Sequence, residues 1–397
     1  MDIESFRAEA RAWLEANVPP RAGDDNPAAI FVERPDEAAH VARAKEWQAR
    51  LAAAGWAGLT WPTEYGGRGL GPIHQIVWTQ EAASYELPVE IFNIGIGMAG
   101  PTILSWGTPE QKDRWLPSML TGAEIWCQLF SEPNAGSDVA SVQTRAVLDG
   151  DEWIVDGQKL WTSGAHFSKW GMLLARTDPD APKHDGLTYF GIDMEQPGVE
   201  VRPLRQMTGG SNFNEVYLSA ARVPKDNVIG SPGMGWSVAL TTLMNERTSI
   251  GALGGLAGSS GGNALGRLVE ETTRASGRDP IDGASRDRLV DIAIRTRVLQ
   301  YHAGRIISKL AQGEIPTAEG SVAKLVLTDL LDRLANFGVE LQGPRGMLAG
   351  EDALGAGSWA IAFLGYPGVK LAGGSDEIMR NIIGERVLDL PREPKAR

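Results

Sequence analysis

The feature that most constrains this chain is the order in which its hydrophobic period changes. Ile3, Phe6, Ala10, Trp13 and Leu14 recur at three- and four-residue spacing, the mark of one apolar helical face. A second helix is expected from near Asp36 to Gly55. At Thr108-Pro109-Glu110-Gln111 the chain carries a helix start, with Thr108 as N-cap, Pro109 in the first helical position and Gln111 closing a capping box. From about Glu124 the period shortens. Val142, Thr144 and Ala146 alternate with polar residues, and Asp149-Gly150 and Asp156-Gly157 read as hairpin turns. Strand-like runs follow at Gly171–Arg176, Leu187–Asp193, Val199–Leu204 and Phe213–Leu218, a pattern that predicts a compact antiparallel β domain. After Pro232 the helical period returns, with helices expected near 234–252, 284–312, 317–342 and 375–389. Helices, then strands, then helices exclude a doubly wound sheet, in which the two alternate. The expected class is α+β, mostly α, with divisions at 1–123, 124–232 and 233–397.

Composition narrows function by exclusion. The formal net charge of −12 repels phosphate backbones and anionic lipid, so neither nucleic acid nor a membrane surface is an expected partner. A single cysteine, Cys127, forms no internal disulfide and no thiolate cluster, and it reads as a small packed residue. The five histidines are scattered without ligand spacing, so no metal is expected. The N-terminus lacks an apolar signal core, and no run supplies the ~20 apolar residues of a membrane span; a cytoplasmic location is expected. Gly95–Gly100 matches G-x-G-x-x-G, but its flanks read as helices rather than a βαβ unit, which favours close packing over dinucleotide binding. No G-x-S-x-G elbow stands between a strand and a helix.

Three segments carry chemistry. Glu132–Asp138, leaving a strand-like run, packs turn formers and hydroxyls together; this fits a surface turn, or a loop whose backbone N–H groups admit a flat ligand or a phosphate. Leu160–Gly164 offers an indole followed by two hydroxyls, which fits ordinary core or the edge of a planar heterocycle. On the first long C-terminal helix, Glu246 shares a face with Ala239, Leu243, Ile250 and Leu253. A carboxylate on an apolar face is costly unless paired or used.

Together these residues resemble the acyl-CoA dehydrogenase family over nearly the whole chain. The likeness rests on C-Q-x-F-S-E-P-N-A-G-S-D at 127–138, D-G-x-K-x-W-T-S-G at 156–164, N-E-V-Y-L-S-A-A-R-V-P-K-D-N-V-I-G at 214–230 and G-G-S-D-E-I-M-R-N-I-I-G-E-R-V-L at 373–388. The resemblance implies a helical N-terminal domain, a central β domain and a C-terminal four-helix bundle. It further implies FAD, an acyl-CoA thioester substrate, an electron-transfer flavoprotein as acceptor, and a homotetramer built as a dimer of dimers. By position, Gln128, Phe130, Ser131, Gly136 and Ser137 would line the flavin, with Ser137 where the CoA enters. Trp161, Thr162 and Ser163 would cover its other side. Leu341, Gln342, Gly343, Ser375 and Glu377 fall where the family contacts FAD. Arg278 matches an arginine that contacts the FAD phosphates across a subunit boundary, although Gly277–Pro280 lacks the aromatic-glycine follow-up usual there.

Dehydrogenating a thioester requires a carboxylate base near the α-carbon, desolvated so that it works near neutrality. Many relatives carry it where this chain has Gly373, and glycine takes no proton. A branch of the family places its base on the first long C-terminal helix directly before an arginine, where this chain has Glu246-Arg247. The resemblance therefore implies Glu246 as base, Met244 and Arg247 near the substrate, and the Gly373 N–H on the thioester carbonyl. Glycines at 373 and 374 would leave room for branched or bulky acyl groups. The glycine-rich 251–262 stretch is expected to break its helix, either for close helix crossing or to widen the pocket. Two other readings stay open: a flavin oxidase or monooxygenase of the same fold, and a non-catalytic partner in a mixed assembly.

Overall fold

The computed structural model describes residues 2–21, 26–29, 31, 36–277, 279–312, 314 and 319–392; over 247–263, 310–311 and 351 it describes backbone alone. The chain divides into two compact units, one of residues 1–32, 76–86 and 247–397, the other of 33–75 and 87–246.

The second unit is built on a seven-stranded sheet. Its strands are β1 (Trp126–Leu129), β2 (Arg145–Asp149), β3 (Glu152–Ser163), β4 (Trp170–Arg176), β5 (Leu187–Asp193), β6 (Val199–Leu204) and β7 (Phe213–Pro224). The order is β1-β4-β2-β3-β7-β6, with β5 on β4. Most pairs are antiparallel, but β4 runs parallel to both β1 and β2. Asp149-Gly150 makes the β2–β3 hairpin turn as the sequence predicts. Asp156-Gly157 does not turn: β3 continues through it with a register shift. The Asp156 carboxylate there accepts the Ala220 N–H of β7 at 2.7 Å, so the polar pair serves a bulge. The inner face packs Cys127, Leu129, Leu173, Phe190, Ile192, Val216 and Val223 into one core.

Helices α2 (Glu37–Ala53), α4 (Gly100–Trp106) and α5 (Pro109–Leu120) belong to the same unit. Asp36 caps α2, and the Thr108–Gln111 capping box opens α5. The Gln111 amide also donates to the carbonyls of Asp226 and Val228, both at 2.7 Å, which ties α5 to the chain beyond the sheet. Trp115 of α5 meets Trp126 and Trp170 edge to face at 5.4 and 5.7 Å. The G-x-G-x-x-G stretch is a π-helical turn, Gly95–Ala99, leading into α4. A Cβ on Gly100 would lie 2.1 Å from the Trp61 ring, so this glycine exists for packing.

In the first unit, α1 (Ile3–Asn17) lies beside α3 (Pro72–Ala82), where Glu81 takes ion pairs from Arg7 and Arg11. The C-terminal helices are α6 (Gly235–Ser276), whose residues from 247 onward belong to this unit, α7 (Gly283–Ala311), α8 (Glu319–Leu341), α9 (Ser358–Leu371) and α10 (Asp376–Arg386). Leu265, Leu268, Ile292, Leu299, Leu327, Leu334, Phe337 and Trp359 form the shared core of α6 to α9. The backbone of α6 runs unbroken for 42 residues, so the glycine-rich stretch does not interrupt the helix. Helical hydrogen bonds persist through glycine at a cost of ~1 kcal/mol per residue when neighbouring turns hold the ends. The pocket-widening and helix-crossing roles expected of that stretch depend on side-chain surroundings outside the described residues. Helix α9 is absent from the sequence expectations, because Gly365, Pro367 and Gly368 lie inside it and read as breakers.

Candidate active site

The end of β1 and the middle of β3, thirty residues apart in sequence, are brought side by side. The Leu160 N–H donates to the Ser131 carbonyl at 2.9 Å, and the Lys159 ammonium donates to the Phe130 carbonyl at 3.1 Å. Gln128 and Ser131 are half-buried, and Phe130 is buried with its ring edge to face on Tyr189 at 5.8 Å. One residue beyond Leu160, β3 shifts register against β7 and Trp161 adopts a φ of 59°. A non-glycine residue in that region costs on the order of 1–3 kcal/mol. The kink turns the indole outward, 54% exposed, with Phe213 edge-on at 5.8 Å. Thr162 is buried: its carbonyl takes the Asn214 amide at 3.1 Å, while its hydroxyl has no hydrogen-bond partner among the described residues. Ser163 is half-buried, and Gly136 and Ser137 lie on an exposed turn with open space where a Gly136 side chain would be. An exposed indole on strained backbone, an unpartnered hydroxyl and serines on two neighbouring strand ends suit a flat heterocycle with polar edges. These residues fit FAD.

Beneath this surface lies a pair that the sequence reading did not single out. Lys159 is fully buried, with Nζ 2.8 Å from Glu132 and 2.7 Å from the Leu174 carbonyl. Glu132 also accepts the backbone N–H groups of Gln143 and Thr144 at 2.6 and 2.9 Å. Burial pushes Lys159 down to about 8 against the pull of Glu132. Burial works to raise Glu132 as well, but the Lys159 charge and the backbone donors outweigh it and hold the carboxyl below its ordinary value. The signal for this pair was two opposite charges, one in each of the motifs at 127–138 and 156–164, but each alone reads as an ordinary surface charge.

In the C-terminal helices, α9 and α10 are joined by Ala372–Ser375, with Gly373 and Gly374 at φ of 64° and 92°. Ser375 is the N-cap of α10, its hydroxyl accepting the Ile378 N–H at 3.4 Å, and Glu377 is exposed in the first turn. Leu341 and Gln342 are buried at the end of α8, and Gly343 follows with open space around it. Thr328 of α8 bonds Asp376 at 2.8 Å, and Leu341 lies ~20 Å further along that helix axis. Ser375 and Gly343 are therefore not brought together within this chain.

On α6, Ala239 is buried, Leu243 and Glu246 are half-buried, and Met244 is 55% exposed. The side chains of Arg247, Ile250 and Leu253, and the whole of Arg278, lie outside the described residues. Cys127 is buried and its thiol is pushed up to about 12 by desolvation, so it is no nucleophile. No described helix is long and apolar enough to cross a membrane.

Family models for the N-terminal, middle and C-terminal domains of acyl-CoA dehydrogenase match residues 2–123, 127–221 and 233–388. The chain is 40% identical to acyl-CoA dehydrogenase IpdE1 of Mycobacterium tuberculosis, over 100% of both chains. Among solved structures it is similar to the Tcur3481-Tcur3483 steroid ACAD, with a TM-score of 0.79 and 28% identity over 99% of each chain. It is likewise similar to the ChsE4-ChsE5 complex of Mycobacterium tuberculosis, with a TM-score of 0.78 and 28% identity over 99% of this chain and 100% of that one. From fold, motifs and these matches together, the chain belongs to the acyl-CoA dehydrogenase family, the FAD-dependent oxidoreductases of acyl-CoA thioesters.

Proposed function

We propose that this protein oxidises a bulky, ring-bearing acyl-CoA thioester to its trans-2-enoyl-CoA, with Glu246 as the base. The observation that carries this reading is the exchange of carboxylates: Gly373 stands where many relatives hold the base, while Glu246 lies half-buried on α6, on the helix face that carries Ala239 and Leu243. FAD, when bound, supplies the acceptor for the hydride that leaves the β-carbon. Glu246 takes the α-proton. The Gly373 N–H donates to the thioester carbonyl and so acidifies that proton, while Met244, Arg247 and Ser137 position the acyl and CoA parts. Gln128, Phe130, Ser131, Gly136, Trp161, Thr162 and Ser163 would hold the flavin ring, while Arg278, the α8 end with Leu341, Gln342 and Gly343, and the α10 start with Ser375 and Glu377 would each hold a separate part of the rest of the cofactor. Two glycines at 373–374 leave room for a wide acyl group, and the similar Tcur3481-Tcur3483 protein is a steroid ACAD by name. Anaerobic titration with straight, branched and ring-bearing acyl-CoAs tests the substrate class: the ring-bearing thioester should reduce the flavin fastest, and equal rates with straight chains would count against it.

Electrons pass onward to an electron-transfer flavoprotein in the cytoplasm, and the three-part division 1–123, 124–232 and 233–397 serves as the working domain map. For assembly, a tetramer is proposed. Val290, Ile294, Val298 and Tyr301 recur along one face of α7 and are each at least half exposed, an apolar stripe suited to subunit packing. A mixed assembly is favoured over four identical chains, because the similar ChsE4-ChsE5 structure is a two-component complex. Native mass and FAD per chain of the separately purified protein decide between the two.

A further inference from the structure

The loop that carries Gly373 has little stiffness of its own. Two successive glycines, both with left-handed φ, leave Ala372–Ser375 free to adopt many conformations. Its two ends, however, are held by a single buried ammonium. Lys324 of α8 is fully buried, and its Nζ donates to the Lys370 carbonyl in the last turn of α9 at 2.8 Å. The same Nζ donates to Asp376, the first residue of α10, at 3.0 Å. Thr328, one turn along α8, donates to the same Asp376 oxygen at 2.8 Å. The Lys370 ammonium stands 3.6 Å from the other oxygen and 3.7 Å from Asp332. Burial alone would raise Asp376, but Lys324, Thr328 and Lys370 outweigh it and hold the carboxyl below its ordinary value.

A buried lysine spanning the two stems of a glycine loop is an expensive way merely to hold α8 against α10. An apolar pair would pack those helices at no desolvation cost. We infer that Lys324 and Asp376 are positioning residues that fix the Gly373 amide in the orientation needed to donate to the thioester carbonyl. This inference rests on the role proposed above for Gly373. The amide lies between the two anchors, so drawing Lys370 and Asp376 onto one cation sets the separation of the stems and, through it, the direction of the N–H.

The test reads carbonyl polarisation rather than turnover. Infrared difference spectra are recorded for an enoyl-CoA product, labelled with carbon-13 at the thioester carbonyl and bound to the FAD-loaded protein. Wild type should shift the carbonyl stretch to lower frequency than in water. Lys324→Met and Asp376→Asn should each lose more than half of that shift while still binding FAD. Thr328→Val, which leaves the ion pair intact and is the milder change, should lose a smaller part, and it keeps the test available if Lys324→Met does not fold. In all three variants, amide hydrogens across 371–376 should exchange faster, by about tenfold in Asp376→Asn. If wild type shows no shift, the role given to Gly373 fails, and this inference with it. If wild type shows the shift and folded Asp376→Asn keeps all of it, the inference about Lys324 and Asp376 alone is overturned.

Discussion

The Lys159 ammonium lies 2.8 Å from the Glu132 carboxylate with both side chains buried, and it also holds the carbonyl oxygens of Phe130 and Leu174. One cation thus joins the end of β1, the middle of β3 and β4 directly below the surface that fits the flavin. Removing one partner of a buried pair costs about 3–5 kcal/mol, because the other charge is left uncompensated. Glu132→Gln should therefore lower unfolding stability by about that amount in urea and release FAD on gel filtration. A loss below about 1 kcal/mol with FAD retained would show that the pair is dispensable.

The same chemistry sets an acid limit. The ordinary values of Glu132 and Asp376 are 4.5 and 3.8, and in the folded protein both lie lower. Their contribution is then complete above those ordinary values and is lost as pH falls through the lower folded ones. The Tm of wild type should drop more steeply between about pH 5 and pH 3 than that of Asp376→Asn, which has no such proton to gain. Parallel pH profiles would contradict this.

Trp161 combines a left-handed φ with an exposed ring. Trp161→Gly removes the backbone strain together with the aromatic surface, so the apoprotein Tm should change little. FAD affinity should fall about tenfold, the order expected for one ring contact worth ~1.4 kcal/mol. Fluorescence titration of apoprotein with FAD checks this, and undiminished affinity would remove Trp161 from the cofactor site.

Gly100 tests the packing explanation of the G-x-G-x-x-G stretch. A methyl group there meets the Trp61 ring, so Gly100→Ala should cost about 1–3 kcal/mol of stability through overpacking. FAD affinity should stay at the wild-type value. A selective loss of cofactor binding without loss of stability would reverse the interpretation.

Much of the architecture was legible because it is written in local signals. The Asp36 and Thr108 caps, the runs at Leu187–Asp193 and Val199–Leu204, and the change of period near Glu124 and Pro232 all depend on neighbours in sequence. What escaped depends on distant residues. The parallel pairing of β1 with β4 has no mark in either strand, and α9 is helical despite Pro367 because its buried face packs Trp359, Ala362 and Tyr366. The same division holds at the site. Trp161 and the Glu132–Asp138 loop stood out by residue type, whereas Glu132–Lys159 and Lys324–Asp376 are pairs across 27 and 52 residues. Each partner alone reads as an ordinary surface charge.

Anaerobic reduction of the bound flavin tests the proposed placement of the base on α6. Wild type and Glu246→Gln, loaded with equal FAD, are each mixed with the same acyl-CoA and the flavin absorbance is followed. Wild type should bleach rapidly, and Glu246→Gln should keep its FAD content but bleach slower by about 10²-fold or more. Bleaching of Glu246→Gln at a near wild-type rate would contradict that placement.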